Sequence, residues 1–155
     1  MNRVEAIHGI IVPIITPMDA QERLDETGLK KQLDRMIDAG VHGIFCLGTN
    51  GEGFALNFEE KCRVIEVCAQ HVAGRVPLFA GTGCITTAET IALSMHAQQA
   101  GADVLSVITP SFAALSQDQL FAHYQALTEA VSLPVLVYNI PMRTGVSVAP
   151  DTFAR

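Results

Sequence analysis

Lysine and arginine gather nowhere into a block in this 155-residue chain. Its 10 basic residues face 16 acidic ones, for a net charge of −6. Neither nucleic acid nor an anionic membrane surface suits such a chain as a partner. An anionic small substrate is not excluded, because one well-placed Arg can dominate a pocket. No apolar run approaches the ~18 residues of a membrane helix. The stretch Ile10 to Ile15 is short, contains Pro13, and leads into TPMDA without a small-residue cleavage site. It therefore reads as a first strand and not as a signal peptide. Cys46, Cys62, Cys68 and Cys84 have neither CxxC nor zinc spacing. They read as reduced thiols packed in a cytoplasmic protein. With 49% hydrophobic and 17% charged residues, the chain is globular and long enough for a sizeable core.

What the chain has is a repeat. Apolar runs of about five residues end in Gly, Thr, Pro or Asn and lead into amphipathic segments. The runs are Gly9–Ile15, Gly43–Leu47, Val76–Ala80, Val104–Ile108 and Pro134–Tyr138. They lack alternation, as parallel strands buried on both faces do. Leu29, Leu33, Met36 and Ile37 share one face of a helix, and Gly40 stands where a C-terminal cap belongs. Asn57 with Glu60, Thr86 with Glu89 and Ser116 with Gln119 have capping-box spacing. Gly74 and Gly101 close the second and third helices, and Pro150 opens a fifth.

Alternating strands and helices fit a doubly wound sheet or a (β/α)8 TIM barrel. A doubly wound nucleotide domain wants a glycine-rich loop after its first strand. Here that loop, TPMDAQERLD, has no glycine, and the partial match GTGCIT follows the third strand. A barrel takes about 250 residues, so this α/β chain is expected to be the N-terminal part, residues 1–155, of one barrel domain. About five strands are covered. Alone, its open sheet edges are expected to prevent a stable soluble monomer.

In such folds the reactive groups lie at the C-terminal ends of strands. Those ends carry no His and one carboxylate, Glu52, too few ligands for a metal-dependent lyase. The loop GTNGEG has two readings. Its glycines, with Gly48 and Gly51 flanking Thr49 and Asn50, can bring backbone N–H groups around a carboxylate, with Glu52 as an internal brace. Equally, it can be a tight turn without a ligand. In YNIPMRTG, Tyr138 is a phenol at a strand end and a candidate proton relay. Arg143 is the one guanidinium among these strand-end residues and suits a planar carboxylate.

GTNGE (48–52), AGTG (80–83), TPSF (109–112) and YNIPMRTG (138–145), with IITPMD and LNFEEK, resemble the dihydrodipicolinate synthase/N-acetylneuraminate lyase family in order and in spacing. The resemblance covers nearly the whole chain. It implies a TIM barrel and class I aldolase chemistry, in which a lysine amine forms a Schiff base with a keto acid, commonly pyruvate. By the resemblance, Thr49 and Asn50 bind the keto-acid carboxylate and Thr49 joins Tyr138 in a proton relay. Arg143 clamps the carboxylate of the second substrate, while Gly48, Gly51, Glu52 and Gly145 support the site. No metal and no further cofactor is implied, and a homotetramer is.

Three departures bear on function. The Schiff-base lysine belongs at the end of the next strand, beyond Arg155, whereas Lys30, Lys31 and Lys61 all lie on helices. Phe112 replaces a tyrosine that synthases reach across to a neighbouring subunit. Asn50 replaces a threonine, a mild change if the backbone does the binding. The leading expectation is a synthase of lysine biosynthesis that condenses pyruvate with aspartate semialdehyde. The alternatives are a related aldolase or dehydratase acting on keto-deoxy sugar acids or hydroxy-keto acids, and a non-catalytic binding barrel.

Overall fold

The computed structural model describes residues 7–155. The elements are β1 (Ile11–Pro13), α1 (Glu26–Asp38), β2 (Gly43–Cys46), α2 (Phe58–Val72), β3 (Leu78–Gly81), α3 (Thr87–Ala100), β4 (Val104–Ile108), α4 (Gln117–Ala130), β5 (Val135–Tyr138), α5 (Pro141–Thr144) and α6 (Pro150–Ala154). Every neighbouring pair of strands is parallel, and the sheet order is β1-β2-β3-β4-β5. That order decides between the two architectures. A doubly wound sheet reverses its strand order at a switch point, whereas a barrel lays each strand beside the last. This is the barrel arrangement.

The two faces of the sheet differ as barrel faces do. Ile44, Cys46, Leu78, Ala80, Leu105 and Val107 pack on Leu29, Leu33, Ile65, Cys68, Leu93 and Leu127 of the helices. This is one continuous core, and burying each Leu in it contributes roughly 1.5–3 kcal/mol. The opposite face carries Pro13, Phe45, Phe79, Ser106, Leu136 and Tyr138. Registers align Pro13 with Phe45, Phe45 with Phe79, and Ser106 with Leu136. This inner face is open, and Leu136 is 48% exposed.

Helix punctuation follows the sequence closely. Asn57 with Glu60 and Ser116 with Gln119 form full capping boxes. Thr86 with Glu89 forms only half of one: Thr86 accepts from the Glu89 N–H, while the Glu89 carboxylate turns to Lys61 instead. Gly40 follows α1 at φ +81, but α2 closes on Ala73 in the left-handed region one residue before Gly74. β1 is shorter than the apolar run around it. Pro13 has no N–H to give, and pairing resumes only where the Ile14 N–H donates to the Phe45 carbonyl at 2.9 Å. Helix α5 was not expected: Pro141 opens it and Gly145 ends it in the left-handed region at φ +71.

Candidate active site

The loop after β2 runs from Leu47 to Asn57 over the strand ends. Four bonds brace its turn, one of them the long donation from the Gly53 N–H to the Gly48 carbonyl at 3.5 Å. The Thr16 hydroxyl donates to the Gly51 carbonyl at 2.6 Å, from the end of β1. The Glu52 N–H donates to the Thr49 carbonyl at 3.2 Å, and the Ala55 N–H donates to the Glu52 carbonyl at 2.8 Å. Glu52 therefore braces the turn through its backbone at φ +51, and its side chain is exposed. Gly48 packs tightly, since a Cβ there would meet the Phe45 ring at 3.0 Å and the ring would have to give way. Among the described residues the N–H groups of Thr49 and Asn50 make no hydrogen bond, so both are free to donate to an anion.

Across the strand ends Thr49 Oγ1 and Tyr138 OH lie 3.2 Å apart, and either can donate. The Tyr138 ring stands edge-on to Phe45, with centroids 6.2 Å apart at 77°. That contact fixes the phenol from the inner face. Thr49, Tyr138 and Arg143 line one cavity of about 430 Å³. A second cavity of about 340 Å³, on the inner face, shares Thr49 and Tyr138 and adds Asn50. Arg143 is exposed and, among the described residues, forms no ion pair. Gly145 ends the turn that carries it. Phe112 projects away, 98% exposed, at φ +79.

Residues 6–155 match the Dihydrodipicolinate synthetase family. The chain belongs to that family. It is 43% identical over 147 residues to the 4-hydroxy-tetrahydrodipicolinate synthase of Phenylobacterium zucineum, covering 95% of this chain and 50% of that one. The synthase of Syntrophus aciditrophicus is 44% identical over 147 residues. Among solved structures, YagE, a prophage protein of the dihydrodipicolinic acid synthase family from E. coli K12 in complex with pyruvate, superposes with a TM-score of 0.91 at 41% identity, over 93% of this chain and 48% of that one. CdNal from Clostridium difficile, in complex with mannosamine, superposes with a TM-score of 0.91 at 27% identity, over 94% and 51%. The chain spans about half the length of the family members it matches.

Some cavity residues escaped sequence reasoning. Lys61 lies on α2, yet its side chain is only 13% exposed and lines the cavity, with Nζ 4.0 Å from Glu89 Oε1. The signal was its place one turn into the helix that follows GTNGEG, which points that turn back at the strand ends. Cys84 stands beside it. Burial pushes the Cys84 thiol up to about 11; Lys61 opposes this and Glu89 adds to it. A thiol held there is protonated at neutral pH and is a poor nucleophile. Thr109 and Thr144, buried and hydrogen-bonded to each other, also line the cavity.

Proposed function

We propose that the full-length protein is a class I aldolase-type lyase that joins pyruvate to an aldehyde through a lysine Schiff base. The observation that carries this is the Thr49–Tyr138 hydroxyl pair, standing in one cavity with Arg143 at the C-terminal ends of parallel strands. YagE, whose solved structure holds pyruvate, supports the choice of keto acid. The Schiff-base lysine belongs to strands outside these 155 residues.

The residues present take the other roles. The free N–H groups of Thr49 and Asn50 receive the pyruvate carboxylate. The lysine amine adds to the ketone carbon, water leaves, and loss of a methyl proton gives the enamine. The enamine carbon then bonds to the aldehyde carbon, whose oxygen takes a proton. Tyr138 carries protons in both stages, and Thr49 hands them on. Arg143, exposed and without an ion-pair partner among the described residues, receives a carboxylate on the acceptor. Aspartate semialdehyde supplies both aldehyde and carboxylate, and relatives named 4-hydroxy-tetrahydrodipicolinate synthase support it. We expect a cytoplasmic homotetramer, in keeping with the family resemblance.

One observation favours a second reading. Phe112 has no hydroxyl and stands 98% exposed, outside the cavity lining. A relay needing a third hydroxyl is then shortened, which suits cleavage or dehydration of a keto-deoxy sugar acid or hydroxy-keto acid. The test is pyruvate consumption by the full-length protein with aspartate semialdehyde and with uncharged sugar aldehydes. Turnover confined to the first supports the synthase reading; turnover confined to sugars replaces it with the second. No turnover with any aldehyde, and no release of pyruvate from keto-deoxy acids, contradicts both.

A further inference from the structure

We propose that Thr109 and Thr144 are positioning residues for Arg143: a buried hydroxyl pair between the loops after β4 and β5 sets how the site holds the acceptor carboxylate. The proposal rests on the reading of Arg143 as the acceptor's anchor.

Arg143 is the third residue of α5, a helix of 4 residues. One turn is far too short to hold itself together. Arg143 also has no ion pair among the described residues to fix its side chain. Its place is therefore set by what holds the backbone of α5. Arg143 and Gly145 are exposed, but Thr144 between them is 7% exposed and Thr109 is 1% exposed. A buried polar residue inside an exposed loop needs partners, and Thr144 has a full set. Its oxygen accepts from the Thr109 hydroxyl at 3.0 Å and from the Val146 N–H at 3.3 Å. Its own proton reaches the Val146 carbonyl at 3.0 Å or the Ile140 carbonyl at 3.4 Å. One donor and two acceptors are all that a hydroxyl offers.

The Thr109–Thr144 bond spans 35 residues of sequence. It fastens α5 to the end of the neighbouring strand. Within the turn the Arg143 and Thr144 N–H groups donate to the Ile140 carbonyl at 2.9 and 3.2 Å, and the Gly145 N–H donates to that of Pro141 at 2.8 Å; the remaining side-chain ties hold residues beyond Arg143, where the Val148 N–H donates to Asn139 Oδ1 at 3.2 Å and Gln117 Nε2 donates to the Ser147 carbonyl at 2.9 Å. Those side-chain ties hold the return to α6. The threonine pair holds the segment that carries the guanidinium, and both threonines line its cavity.

Thr144→Val keeps the side-chain shape but strands the Thr109 hydroxyl and the Val146 N–H. We expect the KM of the full-length enzyme for aspartate semialdehyde to rise about tenfold, the scale of one well-placed hydrogen bond. The pyruvate KM and the turnover of an uncharged aldehyde stay near wild type. Thr144→Ser restores the acceptor KM, and Thr109→Val raises it as Thr144→Val does. Should Thr144→Val fail to fold, Thr109→Val is decisive, since it leaves Thr144 bonded to Val146 and Ile140. A KM within about twofold of wild type, or an equal rise with the uncharged aldehyde, overturns the proposal. Arg143→Ala separates the causes. If it raises the acceptor KM while both valine variants do not, only the positioning claim falls. If it too is silent, the anchor reading falls as well.

Discussion

Removing either hydroxyl of the Thr49–Tyr138 pair should damage catalysis far more than folding. The oxygens lie 3.2 Å apart, and among the described residues each bonds to the other alone. Both line the cavity, so the survivor of a Tyr138→Phe or Thr49→Val change can turn to water. The stability cost is then at most about 1 kcal/mol, the net contribution of one hydrogen bond. A positioned proton-transfer group contributes about 10²- to 10⁴-fold to a rate. We therefore expect each single change to lower kcat with pyruvate and aspartate semialdehyde by about 100-fold or more. The double variant should lose little beyond the worse single, because a relay broken once carries no protons. Steady-state kinetics on the full-length protein, with urea unfolding alongside, measure both quantities. Single losses under about threefold, or losses that multiply in the double variant, refute a shared relay.

Arg143→Ala should raise the KM for a carboxylated aldehyde by about 10- to 100-fold, the range of a charge-assisted hydrogen bond, and leave an uncharged aldehyde unaffected. His123 supplies a pH prediction. It is buried against Thr87, with Nδ1 2.9 Å from the hydroxyl, and burial holds its imidazole below the ordinary value of 6.5. The unfolded chain therefore takes up the proton first. Stability is unaffected above about pH 7 and falls as the pH drops through 6.5, a loss that His123→Gln should reduce in urea titrations. Asn57→Ala should cost about 1 kcal/mol in urea unfolding, since it removes the acceptor for the Glu60 N–H.

The fold was legible because its signals are local. Unalternating apolar runs, the pairs Asn57–Glu60 and Ser116–Gln119, and the glycines after helices each act within a few residues. Strand order is not local, which left two architectures open until pairing was seen. The site divides the same way. Thr49, Tyr138 and Arg143 stand out as polar groups just past apolar runs, and the structure brings them to one cavity. Lys61 and the Thr109–Thr144 bond were hidden, because nothing near either threonine in sequence marks a partner 35 residues away. Glu89 shows the limit of a spacing rule. Its position fits a capping box, but an ammonium across the helix interface draws its carboxylate away.

The central claim is the Schiff base. Incubating the full-length protein with pyruvate, reducing with borohydride and mapping the product by mass spectrometry tests it directly. The account predicts one reduced pyruvate adduct per chain, on a lysine outside these 155 residues. No adduct, or an adduct on Lys61 in the same cavity, would contradict it.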